Sequence, residues 1–260
     1  MLNTLEYGSR TDEPDLLIVH GLYGSGRNWG AVAKRLAPER RIVSVDQRNH
    51  GHSPWFDSHS YHDMARDLAE VIEAQGAPMD VMGHSMGGKA SMILALTRPD
   101  LVNRLIVADI APVQYTHDQN QFIAAMRAVD LSRVEKRSDA IDQLAQNVDD
   151  PTLRSFFTQS LDLNGRKWRL NLDVLEAEMP KVIGFPEISG NFEGRTLFLS
   201  GSESDYVTPE HRPRIRELFP KARFAKITGA GHWLHAEKPR EFVQSVQAWL
   251  NATSAQASNS

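Results

Sequence analysis

The sequence predicts an α/β fold built on a mostly parallel sheet with helices on both faces, and three observations carry that expectation. Short apolar runs recur between stretches with helical spacing, the pattern of strands buried on both faces by crossover helices. One run ends in Gly83-His-Ser-Met-Gly87 and passes at once into a helical pattern, so a serine stands on a strand-to-helix turn. The rhythm then breaks between about Gln114 and Pro186, a stretch too long for a plain loop in a compact domain. A chain of 260 residues has room for one such domain carrying an insertion.

Taken in order, Leu2 to Tyr7 is the one strand candidate ahead of Leu16-Leu-Ile-Val19, and Ile42-Val-Ser-Val45 follows. Met79 to Met82, Leu105 to Ala108, Thr196 to Leu199 and Arg223 to Ile227 complete the strands. Trp29 to Leu36, Tyr61 to Gln75, Lys89 to Leu96 and Arg240 to Leu250 carry apolar residues at helical spacing. Within the break, Phe122 to Val129 and Ala140 to Val148 read as amphipathic helices, so the segment is expected to lie over the strand ends as a helical cap. The division that results is a core domain from 1–112 and 187–250, a cap over 113–186, and a small, polar tail over 251–260 expected to be disordered.

Composition narrows the chemistry. A formal charge of −4 argues against a nucleic-acid footprint. With no cysteine, thiol catalysis, disulfides and cysteine-metal sites are excluded. Met1 to Asp15 is polar and mixed in charge, without the apolar core of a secretory signal, and no run reaches the roughly 18 to 20 apolar residues of a membrane helix. The expectation is a soluble, cytoplasmic protein with no membrane partner. His50, His52, His59 and His62 invite a metal reading, but their loop spacing is not that of a ligand set, and no metal is expected. The glycines of Gly21 to Gly26 match neither the dinucleotide nor the Walker pattern, so no cofactor is expected.

In open α/β sheets the ligand crevice lies beyond the carboxyl ends of the strands. The residues there are His20-Gly21-Leu22-Tyr23-Gly24, Asp46-Gln-Arg48, Ser85, Asp109, Gly201 to Asp205 and Gly229-Ala-Gly-His232. A nucleophile, carboxylates and a histidine fall on one edge in the chain order serine, aspartate, histidine. The elbow around Ser85 presses the residues two before and two after it together, which only glycine permits. The following helix points free N–H groups at the site, where negative charge is favoured.

These residues resemble the α/β-hydrolase superfamily: His20-Gly21, Asp46-x-Arg48-x-x-Gly51-x-Ser53, Gly-His-Ser85-Met-Gly-Gly and Gly-Ala-Gly-His232-Trp. More narrowly, Asp46-Gln-Arg-Asn-His-Gly51, Gly83-His-Ser-Met-Gly-Gly-Lys89, Asp109-Ile-Ala-Pro-Val113 and Gly-His232-Trp-Leu-His235-Ala-Glu-Lys-Pro239 are similar to YbfF-type bacterial esterases, from about Leu16 to Leu250. The resemblance implies an eight-stranded sheet, Ser85 after the fifth strand, and hydrolysis of small esters or acyl thioesters. With so short a segment before Leu16, a seven-stranded sheet is the alternative.

Ser85 is expected as nucleophile and His232 as base, with His235 a packing residue. Asp109 and Asp205 both follow strands between those of the serine and the histidine, so topology does not choose the acid. The resemblance to YbfF-type esterases places it at Asp109; the pattern of many other α/β-hydrolases places it at Asp205. The backbone N–H groups of Leu22 and Met86 are the expected oxyanion donors. His20, Asp46 and Arg48 read as turn-fixing residues. Arg48, His84 and Trp233 are also candidates for substrate contact, His84 with its ring turned from the base, and Trp168 and Trp233 for an apolar acyl pocket. The function expected is a serine hydrolase acting through an acyl-enzyme on a small ester or acyl thioester. The alternatives are C–C bond hydrolysis or a lyase reaction on the same residues, or a ligand-binding receptor in a hydrolase shell.

Overall fold

The computed structural model describes residues 1–116 and 119–257, with side chains to residue 252. Its main sheet has seven strands: β1 (Thr4–Tyr7), β2 (Leu16–Val19), β3 (Ile42–Val45), β4 (Met79–His84), β5 (Val102–Ala108), β8 (Arg195–Gly201) and β9 (Ala222–Ile227). Their order is β1-β3-β2-β4-β5-β8-β9. Only β1 is antiparallel, pairing with β3; every other pair is parallel. Among the described residues the sheet has seven strands rather than the eight that the resemblance implies, with β1 alone ahead of β2, so Ser85 follows the fourth strand in the chain.

Side chains alternate across the strands, as pleating demands. Leu16, Ile18, Met82, Ile106, Leu197 and Leu199 face one layer, filled by α1 (Gly30–Leu36) and α11 (Pro239–Ala257) through Val32, Leu36, Phe242 and Val246. Leu17, Val19, Val81, Leu105, Val107 and Phe198 face the other, filled by α2 (Tyr61–Gln75) and α3 (Met86–Thr97). α2 starts where the Ser60 hydroxyl accepts from the Asp63 N–H and stops at Gly76, whose φ of 81° a side chain would resist. Because α3 is buried on nearly every side, it holds Ser85 on a rigid support.

α9 (Arg212–Leu218) lies between β8 and β9 and α10 (Leu234–Glu237) precedes α11, while between β5 and β8 lie α4 (Asn120–Arg127), α5 (Arg137–Leu144), α6 (Pro151–Thr158), α7 (Leu172–Ala177) and α8 (Met179–Ile183). A two-stranded hairpin of β6 (Leu161–Asp162) and β7 (Lys167–Trp168) also lies here, too short for periodicity to reveal. This segment is tied to the loops beyond the strand ends. The Gly51 N–H donates to Arg169 O (2.8 Å), Asn171 N–H to Asn49 O (3.0 Å), and the Ser160 hydroxyl to Tyr23 O (2.9 Å). At the C-terminus α11 runs to Ala257, so 251–257 is helical rather than the disordered tail expected; Ala and Gln extend an established helix readily. Residues 258–260 lie outside the described residues. Among the described residues no helix is long and apolar enough to cross a membrane.

Candidate active site

Ser85 sits between β4 and α3 at φ 53°, ψ −122°, a conformation costly for a residue with a Cβ. Its neighbours explain how the turn closes. A Cβ on Gly83 would strike the Gly87 carbonyl, and one on Gly87 would strike the carbonyls of Val19 and His20. The loop after β2 lies as close, since a Cβ on Gly21 would come within 3.2 Å of the Ser85 Cβ.

The structure brings Ser85, His232 and Asp109 together. Ser85 Oγ is 3.1 Å from His232 Nε2, and His232 Nδ1 is 2.8 Å from Asp109 Oδ2. Asp109 is fully buried, so its carboxylate needs donors. It receives them from the Gly201 N–H to Oδ1 (3.0 Å), the Ser204 hydroxyl to Oδ2 (2.5 Å) and the imidazole. An acceptor at Nδ1 fixes the proton there and leaves Nε2 to accept from the serine hydroxyl. Asp205 is exposed on the following loop and no hydrogen bond from it to His232 is seen.

The ring of His232 is stacked by Tyr206 at 3.9 Å between centroids. His84 is not turned away from His232. Its ring lies 4.8 Å from that of His232, and its Nε2–H donates to His232 O (2.8 Å), so it anchors the loop that carries His232. Burial, followed by the neighbouring His235 and His232, pushes the His84 pKa well below the usual range, so it stays a neutral donor. His235 stacks on Trp29 at 4.1 Å, and burial holds its pKa down to about 3.

His20 supports the loop opposite. Its Nδ1–H donates to Gly21 O (2.7 Å), its Nε2 accepts from the Gln47 N–H (2.9 Å), and burial lowers its pKa. Asp46 fixes the next turn by accepting from the N–H groups of Gly26 (2.8 Å) and His52 (2.9 Å). Leu22 and Met86 both line the cavity beside Ser85. Met86 N–H heads α3, and Leu22 N–H precedes Tyr23, whose own N–H is taken by His50 Nε2 at 3.1 Å. Both N–H groups therefore belong to backbone that borders Ser85.

Arg48 does not reach the cavity. Its guanidinium forks onto Asp67 at 2.6 and 2.9 Å and stacks on Phe56, so a buried carboxylate has taken the charge that was considered for substrate. Trp233 does line the cavity, whereas Trp168 is buried core, its indole N–H donating to Met126 O (2.9 Å). His50 and His59 are buried, and desolvation keeps both neutral, His59 at about 3. Among the described residues no three His, Cys, Asp or Glu side chains converge as a metal site requires.

The cavity over Ser85 holds about 270 Å³. Its walls are mainly apolar, with Leu22, Ile110, Phe122, Leu153, Phe157 and Val182 among them. Sequence reasoning missed Ser204, Tyr206, Tyr61, Tyr115 and Lys89. For Lys89 a signal existed: a lone charge in an otherwise apolar helix.

Comparison with known proteins agrees with this architecture. The alpha/beta hydrolase fold family matches residues 14–239. The chain is 42% identical to the sn-1-specific diacylglycerol lipase ABHD11 of Mus musculus over 250 residues, 91% of this chain and 81% of that one. It is 37% identical to Esterase YbfF of Escherichia coli (strain K12), over 91% of this chain and 92% of that protein. A solved marine microorganism esterase superposes with a TM-score of 0.89 at 38% identity, covering 95% of this chain and 98% of its own. The chain belongs to the α/β-hydrolase family, as an esterase-type member similar to YbfF.

Proposed function

We propose that the protein is a serine hydrolase cleaving small carboxylic esters or acyl thioesters through an acyl-enzyme. The observation that carries this is the continuous relay from buried Asp109 through His232 to Ser85 Oγ, opening on an apolar cavity. His232 Nε2 takes the serine proton as Oγ attacks the carbonyl, and the N–H groups of Leu22 and Met86 receive the oxyanion. The imidazolium then protonates the departing alkoxide or thiolate. A water, deprotonated by the same imidazole, attacks the acyl-enzyme and frees the acid and Ser85. Asp109 keeps the imidazole oriented and steadies its charge. In this reading residues 113–186 form a cap on the core of 1–112 and 187–250, and limit the substrate to what the cavity admits. The names of the relatives make glycerol esters of fatty acids one substrate class to include. A cytoplasmic setting belongs to the same reading, and cell fractionation checks it. The test is labelling with a fluorophosphonate, followed by turnover on an ester and acyl-CoA chain-length panel. Labelling lost in Ser85→Ala, with multiple turnovers by the wild type, is the expected result. A single slow turnover would instead favour a receptor.

A further inference from the structure

Lys89 lies one turn into α3 from Ser85 and is 1% exposed, yet it lines the same cavity. Among the described lining residues it is the one lysine or arginine, and none of them carries a carboxylate. Its ammonium has three donors. Two reach the carbonyls that end α8, Ile183 O at 3.0 Å and Gly184 O at 2.5 Å. The rings of Tyr115 and Tyr61 flank it at 4.7 and 5.7 Å. The hydroxyls of those rings are engaged elsewhere, Tyr115 with Tyr206 O and Tyr61 with Val182 O, so neither offers a negative charge. Carbonyl dipoles and π faces orient the cation without neutralising it. A buried charge is costly until it is paired, and this one faces a space of ligand size. Burial pulls its pKa to about 7, which the approach of an anion would raise again.

Building on the proposed ester hydrolysis, we propose that Lys89 is a specificity-determining residue that receives a carboxylate carried by the substrate away from the scissile carbonyl. The favoured substrates are then half-esters or half-thioesters of short dicarboxylic acids. The third donor and the positive charge meet the free carboxylate, while Ser85 attacks the esterified end. An aliphatic acyl chain of the same length leaves the charge unpaired.

The experiment compares kcat/KM for monoethyl succinate, glutarate and adipate with ethyl butanoate, pentanoate and hexanoate, on the acid side of neutrality where the ammonium is charged. Lys89→Gln keeps a donor for the Ile183 and Gly184 carbonyls but removes the charge, and Lys89→Arg keeps the charge. We expect at least one half-ester to be preferred by about tenfold or more in the wild type, the effect of one charge-assisted hydrogen bond. That ratio should collapse in Lys89→Gln and be partly kept in Lys89→Arg. A wild type that prefers the neutral partner at every length, or an unchanged ratio in folded Lys89→Gln, overturns the proposal. Calorimetric binding of the half-esters to Ser85→Ala, with and without Lys89→Gln, reads the same contact without catalysis. Loss of binding on removing the charge supports the proposal, and equal binding overturns it. Fluorophosphonate labelling of the wild type scores the hydrolase reading separately, so each can fail alone.

Discussion

The two ends of the sheet are built on opposite plans. At the amino end, Asp80 lies buried between two arginines, 2.5 Å from Arg104 Nη2 and 3.0 Å from Arg40 Nη1. At the carboxyl end the polar groups are spaced along a line that ends in a cavity, and the backbone is strained. Of the five non-glycine residues with positive φ among those described, Tyr23, Asn49, Ser85 and Asp109 all stand beyond a strand's carboxyl end. Opposite charges close on one another around Asp80, while strained backbone gathers beyond the carboxyl ends of the strands, around the cavity.

Breaking each end should therefore fail differently. The largest effect is expected from Ser85→Ala, a loss of turnover on the order of 10⁶-fold with the fold intact by circular dichroism. Asp109→Asn follows, costing about 10⁴ in kcat because the amide can present the wrong partner to Nδ1. At the amino end, Asp80→Asn leaves two buried guanidinium groups facing the more distant, partly exposed Glu13 carboxylate (3.6 and 3.8 Å) and should cost about 3–5 kcal/mol of stability in denaturant unfolding, while folded protein keeps its fluorophosphonate labelling. A smaller, pH-dependent effect belongs to His235, whose pKa is about 3 when folded against 6.5 in the reference state. The unfolded chain gains that proton as pH falls below the reference value and the folded chain does not, so stability declines on acidification down to the folded pKa. At pH 5 the site should account for about 2 kcal/mol, and His235→Phe should flatten the dependence of Tm on acid by that share. The smallest effect is expected from Asp205→Asn, within about twofold in kcat/KM, the scale of a surface substitution. A collapse there with Asp109→Asn spared would reverse the comparison.

Much of this arrangement was legible because it follows from period and spacing. Leu16–Val19 is apolar on both faces and Ile42–Val45 nearly so, the pattern of strands in a sheet covered on both sides. Gly83 and Gly87 bracket Ser85 for a steric reason that sequence alone can supply. What stayed hidden depends on partners distant in the chain. Asp109 and Asp205 were equivalent by topology, and what separates them is the set of donors from Gly201, Ser204 and His232. Arg48 looked available until Asp67, a residue of α2, claimed it. The β6–β7 hairpin escaped because two-residue strands have no period to detect.

One consequence follows from how completely Asp109 is held. Three donors from two distant parts of the chain, the turn at the end of β8 and the loop after β9, converge on its two oxygens. The carboxylate has no second orientation to sample, and the imidazole inherits that fixity together with its choice of protonated nitrogen. The arrangement an arriving ester requires is thus already complete when the chain finishes folding, and the free energy spent on ordering those dipoles is charged to assembly instead of to each turnover.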